Sequence, residues 1–483
     1  MPIETIPGTN LKYYLVAFDA SGNERFDSAN PLTSDQILQQ LQQQPITDIF
    51  LISHGWLSDI PAARRQYSHW IQTMLAQTAD LEKMRQLRPG FFPCLVGLHW
   101  PSQPWGEYEL TSSAMAVPSK TTTIDSTVNL VDQAVNHLVK QYAERIADTP
   151  AAHQALEVIF QSAMVNLAPD YLPLEVETAY RTLNQEATLG SDGIGAAPDA
   201  DRESFNPDQT YSAARQEALS FSGFSWGGLL APLRTLSFWQ MKHRARQIGE
   251  VAGFRLLQKL QQVAAPEVKF HLIGHSFGCI FVSGMLQGSG LSSAPIRPVH
   301  SLSLLQGALS HWSYCPEIPI QPGVAGYFAS VPQQVQGVMI TTQSRFDDAL
   351  GKWYPLAASA ERLVTRSINF ADVSTAEGGS VPLADYFAGF ASDMGANALS
   401  TEFMPELTLP EYGAVGIFGA KGGAGFKAVE MKMRSPDTSY NFEPGMFYNL
   451  NGSEFIRGGN EPQGAHSDID QPAVAHAVWE AAY

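Results

Sequence analysis

Cysteine is scarce: Cys94, Cys279 and Cys315 are the only three in 483 residues. An odd, widely spaced set supplies neither a disulfide framework nor a four-ligand zinc site. Charge is scarce as well, at 16% of residues, against roughly 25% in ordinary soluble domains. Basic side chains are the rarer sign, 30 against 47 acidic ones, for a formal net charge of −17. This balance lacks the basic footprint of a nucleic-acid binder and disfavours anionic lipid surfaces. No uncharged apolar run reaches the roughly 18 residues of a membrane span. The start, Met1-Pro2-Ile3-Glu4-Thr5, has no basic stretch leading into an apolar one, so no signal peptide is read. A cytoplasmic location is expected, with export by a signal-less route left open. No His-Glu-x-x-His or other ligand pattern occurs, so no metal and no cofactor is expected.

Apolar side chains are present in ordinary amount, 44%, enough for a large core and against a disordered chain. At about 150 residues per domain, the length suits either three domains or one core with insertions. Short apolar runs alternate with helical patterns, the signature of an α/β chain with a mostly parallel sheet flanked by helices. Strands are expected over residues 13–18, 46–53, 91–99, 268–273, 300–305, 335–341 and 447–450, with a closing helix over 473–482. Residues 61–85 and 233–262 carry helical spacing. So do 127–146 and 152–167, within a stretch from about 100 to 232 that shows no convincing strand. The Gly/Pro/Asp-rich segment 190–209 reads as a mobile loop, and 366–443 as irregular and glycine-rich.

The sharpest motif is Gly274-His275-Ser276-Phe277-Gly278, placed directly between an apolar strand and an apolar helix. That context marks a nucleophile elbow with Ser276 at its tip. Side chains at the two glycine positions would collide with the neighbouring strand and helix. Gly223-Phe224-Ser225-Trp226-Gly227 has the same letters, but the residues before it read as helix, so nothing forces Ser225 into an exposed elbow. A serine hydroxyl needs a base. His466, in a loop between the last strand and the closing helix, has the best context. His54, His99 and His311 also follow strands and are weaker candidates. His275 adjoins Ser276 and is expected to point away from it. The base in turn needs a carboxylate, and Asp347 and Asp348 both follow the strand that ends near Thr341. Asp347 is favoured, the choice between the two staying open.

The order Ser276, Asp347, His466 with this strand–turn–helix context resembles the α/β-hydrolase superfamily, in its serine esterase and lipase-like branches. The resemblance covers roughly 10–105, 233–360 and 440–483. It implies a core in three parts, 1–105, 233–365 and 444–483. These are interrupted by a helical cap insertion, 106–232, and an irregular insertion, 366–443. It also implies an oxyanion hole made by the amides of Phe277 and Trp56, the latter in the loop Ser53-His54-Gly55-Trp56. His54, Gly55, Trp100 and Trp226 are expected at the substrate. The function so implied is hydrolysis of a carboxylic ester through an acyl-serine, and an apolar acyl or aromatic substrate is inferred from the surrounding aromatics. A peptidase, amidase or acyltransferase on the same triad, or a silent binding protein on the same fold, are the alternatives. The glycine-rich run 419–425 lacks the Gly-Lys-Ser/Thr ending of a phosphate loop and reads as a surface or lid loop.

Overall fold

The apolar runs become strands because both of their faces find cover. The computed structural model describes residues 3–9, 11–26, 31–56, 58–102, 124–220, 228–290, 294–359, 365–367, 408–423, 426, 428–458 and 464–483. Its strands are β1 Ile3–Thr5, β2 Lys12–Ala17, β3 Asp48–Ser53, β4 Pro93–His99, β5 Lys269–His275, β6 Val299–Leu305, β7 Val335–Gln343, β8 Thr365–Ser367, β9 Thr408–Pro410, β10 Ala428–Lys432 and β11 Phe447–Asn451. Nine of them form one sheet in the order β1-β2-β4-β3-β5-β6-β7-β11-β10. All neighbours run parallel except the edge strand β1, which pairs antiparallel with β2. The α/β class read from the alternation of apolar runs and helices is therefore what forms.

The helices are α1 Thr33–Gln43, α2 Ile60–Ala76, α3 Thr78–Leu87, α4 Ile124–Ala143, α5 Pro150–Val165, α6 Leu174–Glu186, α7 Pro207–Ser220, α8 Ala231–Ile248, α9 Phe254–Val263, α10 Gly278–Gln287, α11 Tyr354–Ala358, α12 Val415–Phe418 and α13 Pro472–Ala482. Strand β3 is buried at every position. Its alternate residues serve two cores: Ile49 and Leu51 pack with Leu236, Leu257 and Ile280 of α8, α9 and α10. Phe50 and Ile52 pack with Trp70, Ile71 and Met84 of α2 and α3 and with Val474 and Val478 of α13. A parallel strand covered on both faces has no polar side to show, which is why it reads as an unbroken apolar run.

Three differences from the sequence reading have plain causes. The segment 61–85 is two helices, broken at Gln77. Helix α1 escaped notice because Ile37, Leu38 and Leu41 are its only large apolar residues, too few for a periodic stripe. Strand β10 lies inside 366–443, expected to be an irregular insertion. It is a sheet edge whose Glu430 and Lys432 hide the strand pattern. The single helical pattern over 233–262 is one continuous rod, α8 and α9 joined by a π-turn at Gly249–Gly253.

Residues 190–209, expected to be a mobile loop, pack against α8 instead. Asp199 takes Arg246 in a two-pronged pair, Oδ1 to Nε 2.5 Å and Oδ2 to Nη2 3.0 Å, and His243 Nδ1 at 2.6 Å. Arg202 is fully buried over the Trp239 ring. Among the described residues, no helix is long and apolar enough to cross a membrane.

Candidate active site

The sheet reverses its direction of growth between β3 and β5: β4 and β2 follow on one side, β6 and β7 on the other. In such sheets the crevice opens at the carboxyl ends of the strands flanking that point. The segments leaving β3 and β5 there are His54-Gly55-Trp56 and Ser276.

Ser276 has φ +55°, a left-handed conformation that a non-glycine residue adopts only under constraint. The constraint is a turn with no space around it. The Ser276 amide donates to the Leu305 carbonyl at 3.0 Å, and its own carbonyl accepts from Cys279 and Ala308 at 3.1 and 3.2 Å. A Cβ on Gly278 would overlap the carbonyl oxygens of Ser53 and His54, and one on Gly274 would come within 2.6 Å of the Gly278 oxygen. The glycines expected on steric grounds are thus required, Gly278 by the approach of β3 to α10 and Gly274 by the return of α10 against the end of β5.

Ser276 Oγ lies 2.8 Å from His466 Nε2, and His466 Nδ1 lies 2.8 Å from Asp347 Oδ2. A carboxylate only accepts, so the ring proton sits on Nδ1 and leaves Nε2 free to take the serine proton. Asp347 is fully buried. Its Oδ2 also accepts from Gln306 Nε2 at 2.8 Å, and its Oδ1 accepts from the Leu350 amide at 3.0 Å. Asp348 is exposed. Asp347, the favoured of the two, thus faces the histidine and also caps the segment that follows it. Gln306 is locked in turn: its amide donates to Thr342 Oγ1 at 2.9 Å, and its Oε1 accepts from that hydroxyl at 3.1 Å.

The loop after β3 is built around one buried imidazole. His54 Nδ1 donates to the Gly55 carbonyl at 2.7 Å, and its Nε2 accepts from the Trp100 amide at 3.3 Å. Burial, with His99 close by, holds the His54 pKa well below the ordinary histidine value, so the ring stays neutral. The Gly55 carbonyl also accepts from Ser102 Oγ at 3.0 Å. Tyr67 Oη accepts from the His54 amide at 2.9 Å and donates to the Leu98 carbonyl at 2.5 Å. In a trans peptide C=O and N–H point opposite ways, so pinning the Gly55 carbonyl inward turns the Trp56 N–H outward. Gly55 lies against the serine: a Cβ there would sit 2.6 Å from Ser276 Cβ. Among the described residues, neither the Trp56 nor the Phe277 amide has an acceptor. The Trp56 ring stacks on Phe277 at 5.8 Å, and Phe238 closes the same apolar wall at 5.1 Å from Phe277.

Two residues expected at the substrate are elsewhere. His54 and Trp100 are fully buried, stacked on each other at 5.5 Å, and brace the loop from behind. Each directly follows a strand, a position that serves equally well for a brace. His99 and His311, the weaker base candidates, are buried and take no part in the Ser276–His466–Asp347 chain. Trp226 and Ser225 lie outside the described residues. Gln306, Tyr67 and Ser102 were not foreseen. Gln306 alone left a trace, as a polar residue directly after the apolar pair Leu304-Leu305 that ends β6. The run 419–425 is no surface loop over its first part: Ala420 is buried with its amide on Asn449, and buried Lys421 pairs with Glu430.

Away from this site Asp80, His476 and Glu480 place ligand-type atoms within 4.8 Å of one another. Each is engaged otherwise. His476 Nδ1 bonds Asp80 at 2.9 Å, and Glu480 takes Lys83 Nζ at 2.7 Å and the Tyr440 amide at 3.1 Å. No protein-family model, no curated protein and no solved structure matches the chain.

Proposed function

We propose that this chain is a serine hydrolase of α/β-hydrolase type that cleaves a carboxylic ester through an acyl-serine intermediate. One observation carries the reading: Ser276, His466 and Asp347 form an unbroken hydrogen-bonded chain at the sheet's switch point, with the serine in a strained left-handed turn. Ser276 Oγ attacks the ester carbonyl while His466 Nε2 takes its proton. The imidazolium, stabilised by Asp347, then protonates the departing alcohol. Water then attacks the acyl carbonyl as His466 takes its proton, and His466 returns that proton to Ser276 Oγ as the acyl–oxygen bond breaks and the acid leaves. The Phe277 and Trp56 amides receive the developing oxyanion, each such donor being worth about 100- to 1000-fold in rate. The half-buried Trp56 ring, packed on the buried rings of Phe238 and Phe277, supports an apolar or aromatic acyl group. The helices within 106–232 act as the cap over this crevice.

Fluorophosphonate labelling tests the reading. The wild type and Ser225→Ala take the label and Ser276→Ala does not. Labelling that survives Ser276→Ala would refute it. A panel of activated esters and the matching amides then identifies the leaving group, with ester turnover expected to dominate. A preference for peptide amides would reassign the chain as a peptidase. An added alcohol that competes with water would reassign it as an acyltransferase.

A further inference from the structure

Two consecutive residues of the β5–α10 turn both hold residue 466. Ser276 Oγ meets His466 Nε2 at 2.8 Å, and the ring of His275 meets the main-chain carbonyl of the same histidine, Nε2 to O, at 2.8 Å. A carbonyl oxygen only accepts, so the His275 proton sits on Nε2. Nδ1 then accepts, and Gln66 of α2 supplies the donor, Nε2 to Nδ1 3.0 Å. The tautomer is thus set from both ends of the ring. Burial, reinforced by the neighbouring His466, pushes the His275 pKa down to about 3, so the ring stays neutral while His466 exchanges protons.

The geometry makes this a clamp rather than a passive contact. His466 sits on a 3₁₀ turn, Gly464–Ser467, and its side-chain contacts to Ser276 and Asp347 hold the ring but not the main chain of that turn. The bond from His275 holds the main chain of residue 466 itself. It originates from the residue bonded to the nucleophile, so the distance between Ser276 Oγ and His466 Nε2 is set within one short closed loop of bonds. Beyond the histidine, Asp468 Oδ2 accepts from the Arg457 and Gly458 amides at 3.1 Å each, fixing the far side of the turn.

We propose that His275 is a positioning residue for the reaction: its Nε2–H holds the His466 main chain in register with Ser276, and Gln66 orients the His275 ring. The inference rests on the serine-hydrolase reading above and adds a specific task for a histidine that does not itself touch the substrate.

The experiment compares three replacements at position 275 in the full chain by the rate constant of fluorophosphonate inactivation and by kcat and KM on an activated ester. In Gln the amide nitrogen is as many bonds from Cα as Nε2 of histidine, so it reaches the His466 carbonyl. Asn falls one bond short, and Leu has no donor. His275→Leu and His275→Asn are expected to lose about ten- to a hundredfold in inactivation rate and kcat, as expected for a misplacement on the ångström scale, with KM little changed. His275→Gln is expected to recover to within a few-fold of wild type. Should His275→Leu not fold, the Gln and Asn pair decides alone. Equal rates for those two, or wild-type rates in a folded His275→Leu, would overturn the proposal. If instead the wild-type protein takes no label at Ser276, the hydrolase reading itself fails, a result separable from any variant.

Discussion

Replacing Asp347 by Asn changes one atom and should stop the base from working. Asp347 Oδ1 accepts from the Leu350 amide and Oδ2 accepts from both His466 Nδ1 and Gln306 Nε2. An asparagine that keeps its oxygen on Leu350 turns its NH2 toward two other donors. Gln306 cannot flip to receive it without losing its bonds to Thr342 Oγ1 and to the Gly416 carbonyl. His466 can, but only by moving its proton to Nε2, where it points at Ser276 Oγ and no longer accepts. The opposite rotamer restores an acceptor for His466 but sets NH2 against the Leu350 N–H, and an unsatisfied buried donor costs about 1–3 kcal/mol. In either rotamer the charge opposite the imidazolium is gone. For the same substitution in a Ser-His-Asp site the loss is about 10⁴-fold in kcat, equivalent to about 5.4 kcal/mol of transition-state stabilisation. The assay is kcat/KM on an activated ester, with Ser276→Ala as background and the melting temperature as a check on folding. Asp348→Asn, altering an exposed side chain, should stay within about twofold of wild type. A folded Asp347→Asn that loses less than tenfold would refute the assignment of Asp347 as the orienting carboxylate.

Three further outcomes follow from the same structure. Gly55→Ala puts a methyl 2.6 Å from Ser276 Cβ and 3.2 Å from its Oγ, neither of which can yield, so ester turnover should fall at least about 100-fold. Wild-type turnover in that variant would place the β3 loop away from the reaction. Asp199→Ala removes the carboxylate opposite Arg246 and His243; since Arg246 keeps Glu250 at 3.0 Å, stability should fall by about 1–3 kcal/mol in urea unfolding while the Ser276 chain stays intact. A loss below about 1 kcal/mol would mean that this pair does not fasten residues 190–209 to α8. Acid should unfold the protein early. His275 and His311 are held down at about 3 by burial, so the unfolded chain binds more protons than the native one below about 6.5. Their contribution is fully present above pH 6.5 and declines as pH falls toward 3, by up to about 1.4 kcal/mol per unit for each ring. Urea midpoints at pH 7 and pH 5 check this, and equal midpoints would contradict neutral burial.

The parts of the site that were legible in the sequence are those governed by near neighbours. Apolar runs 13–18, 46–53 and 268–273 announced β2, β3 and β5 because each is short, bounded and covered on both faces. Ser276 was legible because a strand, a glycine on either side and an apolar helix leave a single conformation for the turn. His466 stood out by its place between the last strand and the closing helix. What escaped notice lacked such local marks. Gln306 and Ser102 are ordinary polar residues until Asp347 and Gly55 are brought against them. His54 and Trp100 sit where substrate-facing residues also sit, and only their burial separates a brace from a binding surface.

The order of chemistry-bearing residues along the chain and the place of the turn at Ser276, marked by its flanking glycines, were thus determined by the sequence itself, whereas the strain in that turn is held by Leu305, Ala308 and the β3 loop. The choice of Asp347 over Asp348, the inward turn of the Gly55 carbonyl and the contact of His275 with residue 466 were decided only by tertiary structure. The partners involved are 119 residues apart for His466 and Asp347 and 191 for His275 and His466. Hydrogen bonds across such separations depend on sheet register and on which side chains the two cores enclose, and neither is written in any local pattern.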